Sequence, residues 1–381
     1  HFWKPEGDDI DMIRLHLDFE TRSESDIRKE GSDRYARHPS TEVLMLAWAF
    51  DDEEPRLWFP DKDPMPSELF NALQDKQVTK IAWNATFEWQ IFTHVLGIEI
   101  PFDQWLDTMV LSYMLALPGD LARVSKIVGL PQEKQKMSEG KRLINLFCKP
   151  RKPTKNKPWV WADEENEPEK WETFCDYCIH DVIAEREIYK KLIKYGPPQQ
   201  EWDNWYLDRK INERGLPIDT RLVDNALKLA EEEKGRLLQE AEDLTGLSNP
   251  NSQAPFLSWL KDHDYSYDDI TAVSVKKALD NGVDDPDLKR ALELRQQWSK
   301  TSTRKYSAFK NRTANDGRYR GAFQFAGAGR TWRWAGRGVQ LQNLPRGDYS
   351  IQKDPETAAR LVRSCDINTL DVMYDIPVME V

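Results

Sequence analysis

Long apolar runs and any excess of positive charge are missing from this 381-residue chain, and cysteines are few. The longest uninterrupted apolar stretch, Val43 to Phe50, is less than half the ~18 residues that a membrane helix needs. No charged-then-apolar signal pattern opens the chain. The four cysteines, Cys148, Cys175, Cys178 and Cys365, are too few for a disulfide framework and point to a reducing, cytoplasmic setting. Cys175 and Cys178 form a lone C-x-x-C without a second ligand pair at zinc spacing. A helix brings residues three apart to one face without any metal. The net charge is −11, which does not exclude a nucleic-acid partner, because binding depends on where the charge lies.

Charged residues make up 31% and hydrophobic residues 39% of the chain, as in a globular protein of two or three domains. Residues 1–12 precede the first strand-like run and are read as a leader or an added extension. Two stretches concentrate positive charge. Lys141 to Pro158 holds Lys141, Arg142, Lys149, Arg151, Lys152, Lys155 and Lys157 and no acid. Lys289 to Arg337 holds thirteen bases against Glu293 and Asp316, a local charge of +11. One-sided runs among glycines and aromatics favour phosphate contact over a plain solvated face.

Alternation over residues 13–20 predicts a strand with Leu15, Leu17 and Phe19 on one face and His16, Asp18 and Glu20 on the other. Val43 to Phe50 suits a strand covered on both faces; residues 56–59 and 79–83 add two more. Helical patterns follow at 87–96, 108–117, 121–128, 140–147 and 169–195, so the first part reads as a mixed sheet flanked by helices. Gly196-Pro197-Pro198 is the strongest linker signal. Beyond it, helices are expected at 201–214, 221–245 and 253–262, with one long basic helix over 287–312. The expected division is a catalytic domain at 13–195, a linker at 196–200, a mainly helical region at 201–346, and a short final segment at 347–381.

Asp18 and Glu20, two apart on a strand, project to one side and repel unless a cation lies between them. Burying both uncompensated would cost several kcal/mol, on the order estimated for unpaired ions, so a divalent metal is the economical explanation. Asn84-Ala85-Thr86-Phe87-Glu88 follows a strand and places Glu88 in the first turn of a helix. Tyr177 and Asp181, four apart, share a helix face. Asp107 reads as a helix cap.

In this order the three segments resemble the DEDD exonuclease superfamily, tyrosine subclass, whose fold is RNase H-like. The first motif matches Asp18 and Glu20, the second Asn84 to Glu88, and the third Tyr177 and Asp181; Glu88 stands where many members have aspartate. The resemblance implies 3′→5′ hydrolysis of terminal phosphodiesters with two ions about 4 Å apart, Mg²⁺ or Mn²⁺ for oxygen ligands. Asp18 would bridge them, Glu20 and Asp181 hold the first, Glu88 act on the second, and Tyr177 orient the attacking water. A single-stranded 3′ end would stack on Phe19, Phe87 and Trp89, at least one of which reads rather as core, with Asn84 beside it, and leave as nucleoside 5′-monophosphates.

Ile211-Asn212-Glu213-Arg214-Gly215-Leu216-Pro217-Ile218-Asp219 is similar to the segment that opens the thumb of family A DNA polymerases, the bacterial polymerase I family, phage type. Gly327 to Arg337, followed by Gln340-Leu341-Gln342-Asn343-Leu344-Pro345-Arg346, resembles that family's primer- and template-contacting signature; Trp332 stands where glycine is usual before the arginine. The resemblance implies primer–template DNA as a partner, met by Arg304, Lys305, Arg330, Arg333, Arg337, Gln342, Asn343 and Arg346, with arginines positioning phosphates rather than reading sequence. No palm aspartate motif, fingers lysine or His-Asp-Glu turn follows Arg346, so a polymerising site is not expected within these residues, and residues 357–381 read as helices leading towards the palm. The expected whole is an editing exonuclease plus thumb. A free-standing RNA 3′-end trimmer and a silent DNA-binding module are the alternatives.

Overall fold

The computed structural model describes residues 13–135, 137, 139–300, 303–344 and 349–374; the expected leader and Arg346 lie outside the described residues. Among these, no helix is long and apolar enough to cross a membrane. The chain forms two compact units, one from the residues up to Leu216 with Ala314–Gln340, the other from Pro217–Thr313 with the residues from Leu341 onward.

The first unit is built on a five-stranded sheet. Strands β1 (Arg14–Arg22), β2 (Glu42–Phe50), β3 (Arg56–Trp58), β4 (Thr79–Ala82) and β5 (Trp105–Asp107) lie in the order β3-β2-β1-β4-β5. β1 runs antiparallel to β2 and parallel to β4, and β4 runs parallel to β5. This mixed sheet flanked by helices is the RNase H-like architecture that the resemblance implies. β1 is central because both its faces are used. Leu15, Leu17 and Phe19 enter the main core with Ile81, Phe92 and Trp105. The opposite face carries His16, Asp18 and Glu20, with Asp18 opposite Ala47 and Glu20 opposite Met45. The register shifts just after Glu20, an irregularity of the kind that re-aims side chains next to functional sites. β2 is buried from Val43 to Ala49, as expected of a strand covered on both sides. A second cluster, with Phe147, Trp171, Phe174 and Cys178, packs beneath it.

Lys80 of β4 is fully buried, and its Nζ donates to the carbonyl of Asp75 at 2.7 Å and to Gln104 Oε1 at 2.8 Å. Burial pulls its pKa down to about 8. Between about pH 8 and ~10.4 the unfolded chain therefore holds a proton that the folded chain has lost, so stability rises with pH there. Denaturant titrations across this window are expected to show that rise in the wild type, and a smaller one in Lys80→Met.

The helix Gln199–Arg214, which follows Gly196-Pro197-Pro198, still packs on the first unit, with Trp202 and Trp205 in its core. The arginine-rich segment returns to the same unit. Phe323–Gln324 pairs with Ala335–Gly336, Asn212 exchanges hydrogen bonds at 3.0 Å with the backbone of Phe323, and Trp334 Nε1 donates to Asp208 at 2.7 Å. Trp332 takes φ +55°, the left-handed turn that glycine adopts without cost.

The second unit is helical. Thr220–Thr245 packs against Pro286–Trp298 around Leu237, Phe256, Leu260, Leu292 and Trp298, and against Pro355–Ser364 around Leu229, Ala358 and Leu361, with Arg304–Arg312 also beside it. The single basic helix expected over 287–312 is corrected to two, Pro286–Trp298 and Arg304–Arg312. Ser299 ends the first and Thr303 precedes the second, and both carry hydroxyls that compete with the helical backbone. The helix Ala272–Asp280, capped by Thr271 on the Ser274 N–H, was not legible from periodicity.

Candidate active site

Three elements of the first unit bring the expected carboxylates together. β1 supplies Asp18 and Glu20. The helix Ala85–His94 supplies Glu88 from its first turn, and the helix Pro168–Leu192 supplies Tyr177 and Asp181. Asn84 enters the second of these with φ 72° and makes no side-chain cap. Its N–H instead donates to Asp107 Oδ1 at 3.0 Å, and the same oxygen caps Met109 and Val110. Asp107 thus caps one helix, as the sequence reading has it, and also fixes the start of another.

Glu20, Glu88, Asp181 and Tyr177 are buried and Asp18 is half-buried. One ligand atom each from Asp18, Glu20 and Cys178 lies within 4.8 Å of the other two. Burial, and then the charge of Asp18, holds the Glu88 carboxyl well above the usual carboxylate range. Glu88 Oε2 is buried with no hydrogen-bond partner among the described residues. An orphaned carboxylate oxygen beside like charges is what a divalent cation would satisfy, so these residues fit the expected metal. Tyr177 shares a hydrogen bond with Asp181. Burial first, then the charges of Asp181, Glu20 and Asp18, raise its pKa, so it remains a neutral phenol.

Four contributors escaped the sequence reading. The Cys178 thiol donates to the Asp18 carbonyl at 3.5 Å and lies 3.8 Å from Asp18 Oδ2. Cys148 points to Glu20 Oε2 at 3.8 Å. Glu185, one turn past Asp181, meets His16 Nδ1 at 2.6 Å and accepts from the Thr108 hydroxyl, tying the third-motif helix to β1. Glu185 and His16 were within reach of periodicity, at four residues from Asp181 and two from Asp18. The fourth is Gly140: a Cβ there would lie 2.2 Å from Tyr177 Cε2. Gly140→Ala is expected to displace the tyrosine ring and cut nucleotide release by ~10²-fold, the scale of a 1 Å misplacement. A rate within about twofold of wild type in a single-turnover assay would remove Gly140 from the site.

The expected DNA contacts separate. Phe19 is 5% exposed and stacks edge-on against Phe92 at 4.7 Å, so it is corrected from a stacking surface to core. Phe87 is half-buried at 6.0 Å from Tyr35, and Trp89 donates to the Ile100 carbonyl. Arg333 and Arg337 are exposed in the first unit. Arg304, Gln342 and Asn343 are exposed in the second, where Lys305 Nζ donates to the Asn343 carbonyl at 2.7 Å. The side chain of Arg330 lies outside the described residues.

No protein-family model matches the chain. It is 38% identical over 365 residues to a DNA polymerase of Bacillus phage SP02, a match covering 95% of this chain and 55% of that protein. Among solved structures it is similar to the POL domain of Pol1 from M. smegmatis in complex with DNA primer-template and dNTP. That match has 14% identity, covers 87% of this chain and 52% of the other, and has a TM-score of 0.49. Escherichia coli RNase D, an exoribonuclease involved in structured RNA processing, matches with 15% identity over 78% of this chain and 76% of its own, at a TM-score of 0.22. The chain spans about half the length of this phage DNA polymerase, to which it is related along nearly all of its own residues.

Proposed function

We propose that the first unit is a metal-dependent 3′→5′ exodeoxyribonuclease that edits primer ends for a DNA polymerase. The observation that carries the reading is the convergence of Asp18, Glu20, Glu88 and the Tyr177–Asp181 pair from three separate elements into one buried acidic centre. Divalent ions of the Mg²⁺ or Mn²⁺ type would lower the pKa of a bound water and offset charge on the leaving 3′ oxygen. Asp18, Glu20 and Asp181 would hold one such ion, and the orphaned Glu88 oxygen would reach a second, directly or through water. Tyr177, kept neutral, donates its hydroxyl proton to Asp181, so its oxygen would accept a hydrogen bond from the attacking water and fix its approach. Cys178 and Cys148 would steady the two carboxylates of β1.

In this reading the second unit is a polymerase thumb. Its Arg304, Lys305, Gln342 and Asn343 would contact primer–template phosphates; Arg330, Arg333 and Arg337 of the first unit, and Arg346, are proposed as further phosphate contacts. A 5′-labelled DNA strand incubated with Mg²⁺ tests it: a ladder shortening from the 3′ end, released as nucleoside 5′-monophosphates and abolished by EDTA, is expected. A strong preference for RNA would instead favour a 3′-end trimmer, and tight DNA binding without cleavage a silent module.

A further inference from the structure

A second cluster of metal-ligating side chains lies in the first unit, apart from the carboxylates above. Asp33 comes from the helix Ser32–Arg37, His94 ends the helix Ala85–His94, and Glu213 lies near the end of Gln199–Arg214. One ligand atom from each lies within 4.8 Å of the other two. Asp33 is only 5% exposed. Its Oδ1 accepts from Arg37 Nε at 2.9 Å, whereas its Oδ2 is buried with no hydrogen-bond partner among the described residues. His94 Nε2 is likewise buried and unpartnered among them. Glu213 uses Oε1 for Arg37 Nη2 at 2.9 Å. Three groups able to bond one another directly thus converge without doing so.

Such a cluster normally closes on itself, because an orphaned buried polar atom costs about 1–3 kcal/mol. Here Arg37 occupies one oxygen of each acid, and the Asp33 oxygen and the imidazole nitrogen remain. We propose that Asp33, His94 and Glu213 form a second divalent-cation site, of the mixed nitrogen–oxygen kind that takes Zn²⁺ or a similar first-row ion rather than Mg²⁺. Zinc bonds of ~2.0–2.2 Å to His nitrogen and carboxylate oxygen place neighbouring ligand atoms roughly 3–4 Å apart, inside the observed limit. The nearby positive charge does not forbid this. Arg37 is offset by the two acids it binds, and the Arg320 guanidinium is held by Asp316 at 2.5 and 3.0 Å. Arg37 would then do for the carboxylates what outer hydrogen bonds do at metal sites, orienting the ligands that face the ion. The neutral imidazole of histidine is among the commonest metal ligands. Trp89 packs edge-on against the ring at 6.0 Å and fixes its plane. Occupancy would pin three helices together, one of which carries Glu88 at its other end.

Equilibrium dialysis of the whole chain against Zn²⁺ tests the site, with Asp18→Ala/Glu20→Ala in place to remove two ligands of the candidate active site. One zinc per chain is expected to remain. Adding His94→Ala is expected to weaken its binding by at least about tenfold, as is Glu213→Gln, which preserves shape and decides the matter if circular dichroism shows His94→Ala to be unfolded. Co²⁺ is expected to give visible d–d absorption in the double variant that either further change abolishes. No retained zinc in the double variant, or binding undiminished by Glu213→Gln in a folded chain, overturns the proposal. The exonuclease reading is untouched by either result, since its ladder assay depends on other residues.

Discussion

Asp18→Ala/Glu20→Ala is expected to lower 3′-end hydrolysis by roughly 10³-fold or more, the kinetic equivalent of several kcal/mol of lost charge stabilisation. The same change should not weaken the fold. Asp18 and Glu20 place two negative groups on one face of β1, near Asp181 and Glu88, and like charges in a buried site oppose folding when no cation is present. In EDTA the double variant is therefore expected to melt no lower than wild type. Loss of cleavage with an undiminished melting temperature separates a catalytic role from a structural one. Hydrolysis that survives the double substitution would sink the site assignment outright.

Glu185→Ala is expected to have the opposite profile. Glu185 is buried, pairs with His16 Nδ1 at 2.6 Å and accepts from Thr108. Removing the acid leaves an imidazole 1% exposed and a hydroxyl without their shared acceptor. Leaving buried polar groups unsatisfied typically costs about 1–3 kcal/mol each, and urea denaturation is expected to report a loss of that order. Glu185→Gln, which keeps an acceptor of the same shape, should lose clearly less. A loss below about 1 kcal/mol for the alanine variant, in the range of an exposed pair, would show that the network contributes little. Activity is expected to fall with Glu185→Ala as well, because Asp181 sits one turn away on the same helix.

The geometry of the candidate site was legible where it follows local period. Alternation set His16, Asp18 and Glu20 on one face of β1, and a helical spacing of four joined Tyr177 to Asp181; both arrangements are present in the structure. What lay beyond reach was long-range. Nothing near Cys178 or Cys148 in the sequence announces a carboxylate, because the partners stand 160 and 128 residues away. Gly140 gave no signal either, since its role is the space it leaves for a ring on another helix. Phe19 was misread for a related reason. A residue between two candidate ligands invites a functional reading, but the pleat that aims Asp18 and Glu20 one way must aim Phe19 the other, into the core. The break after Trp298 was missed because the basic pattern continues across it while the helix does not.

The return of Ala314–Gln340 to the first unit has a consequence for how the chain is made. Phe325 and Ala326 are buried in the same core as Leu15, Ile81 and Trp105, and Phe325 packs against Trp334 at 5.2 Å. That core cannot be completed when Leu216 leaves the ribosome; it waits for the intervening segment Pro217–Thr313. At ~5–20 residues per second this delay is roughly 5–20 s. During it the surface destined for Phe325 stays open, and the first unit is at its most exposed to proteases and to aggregation before it is finished.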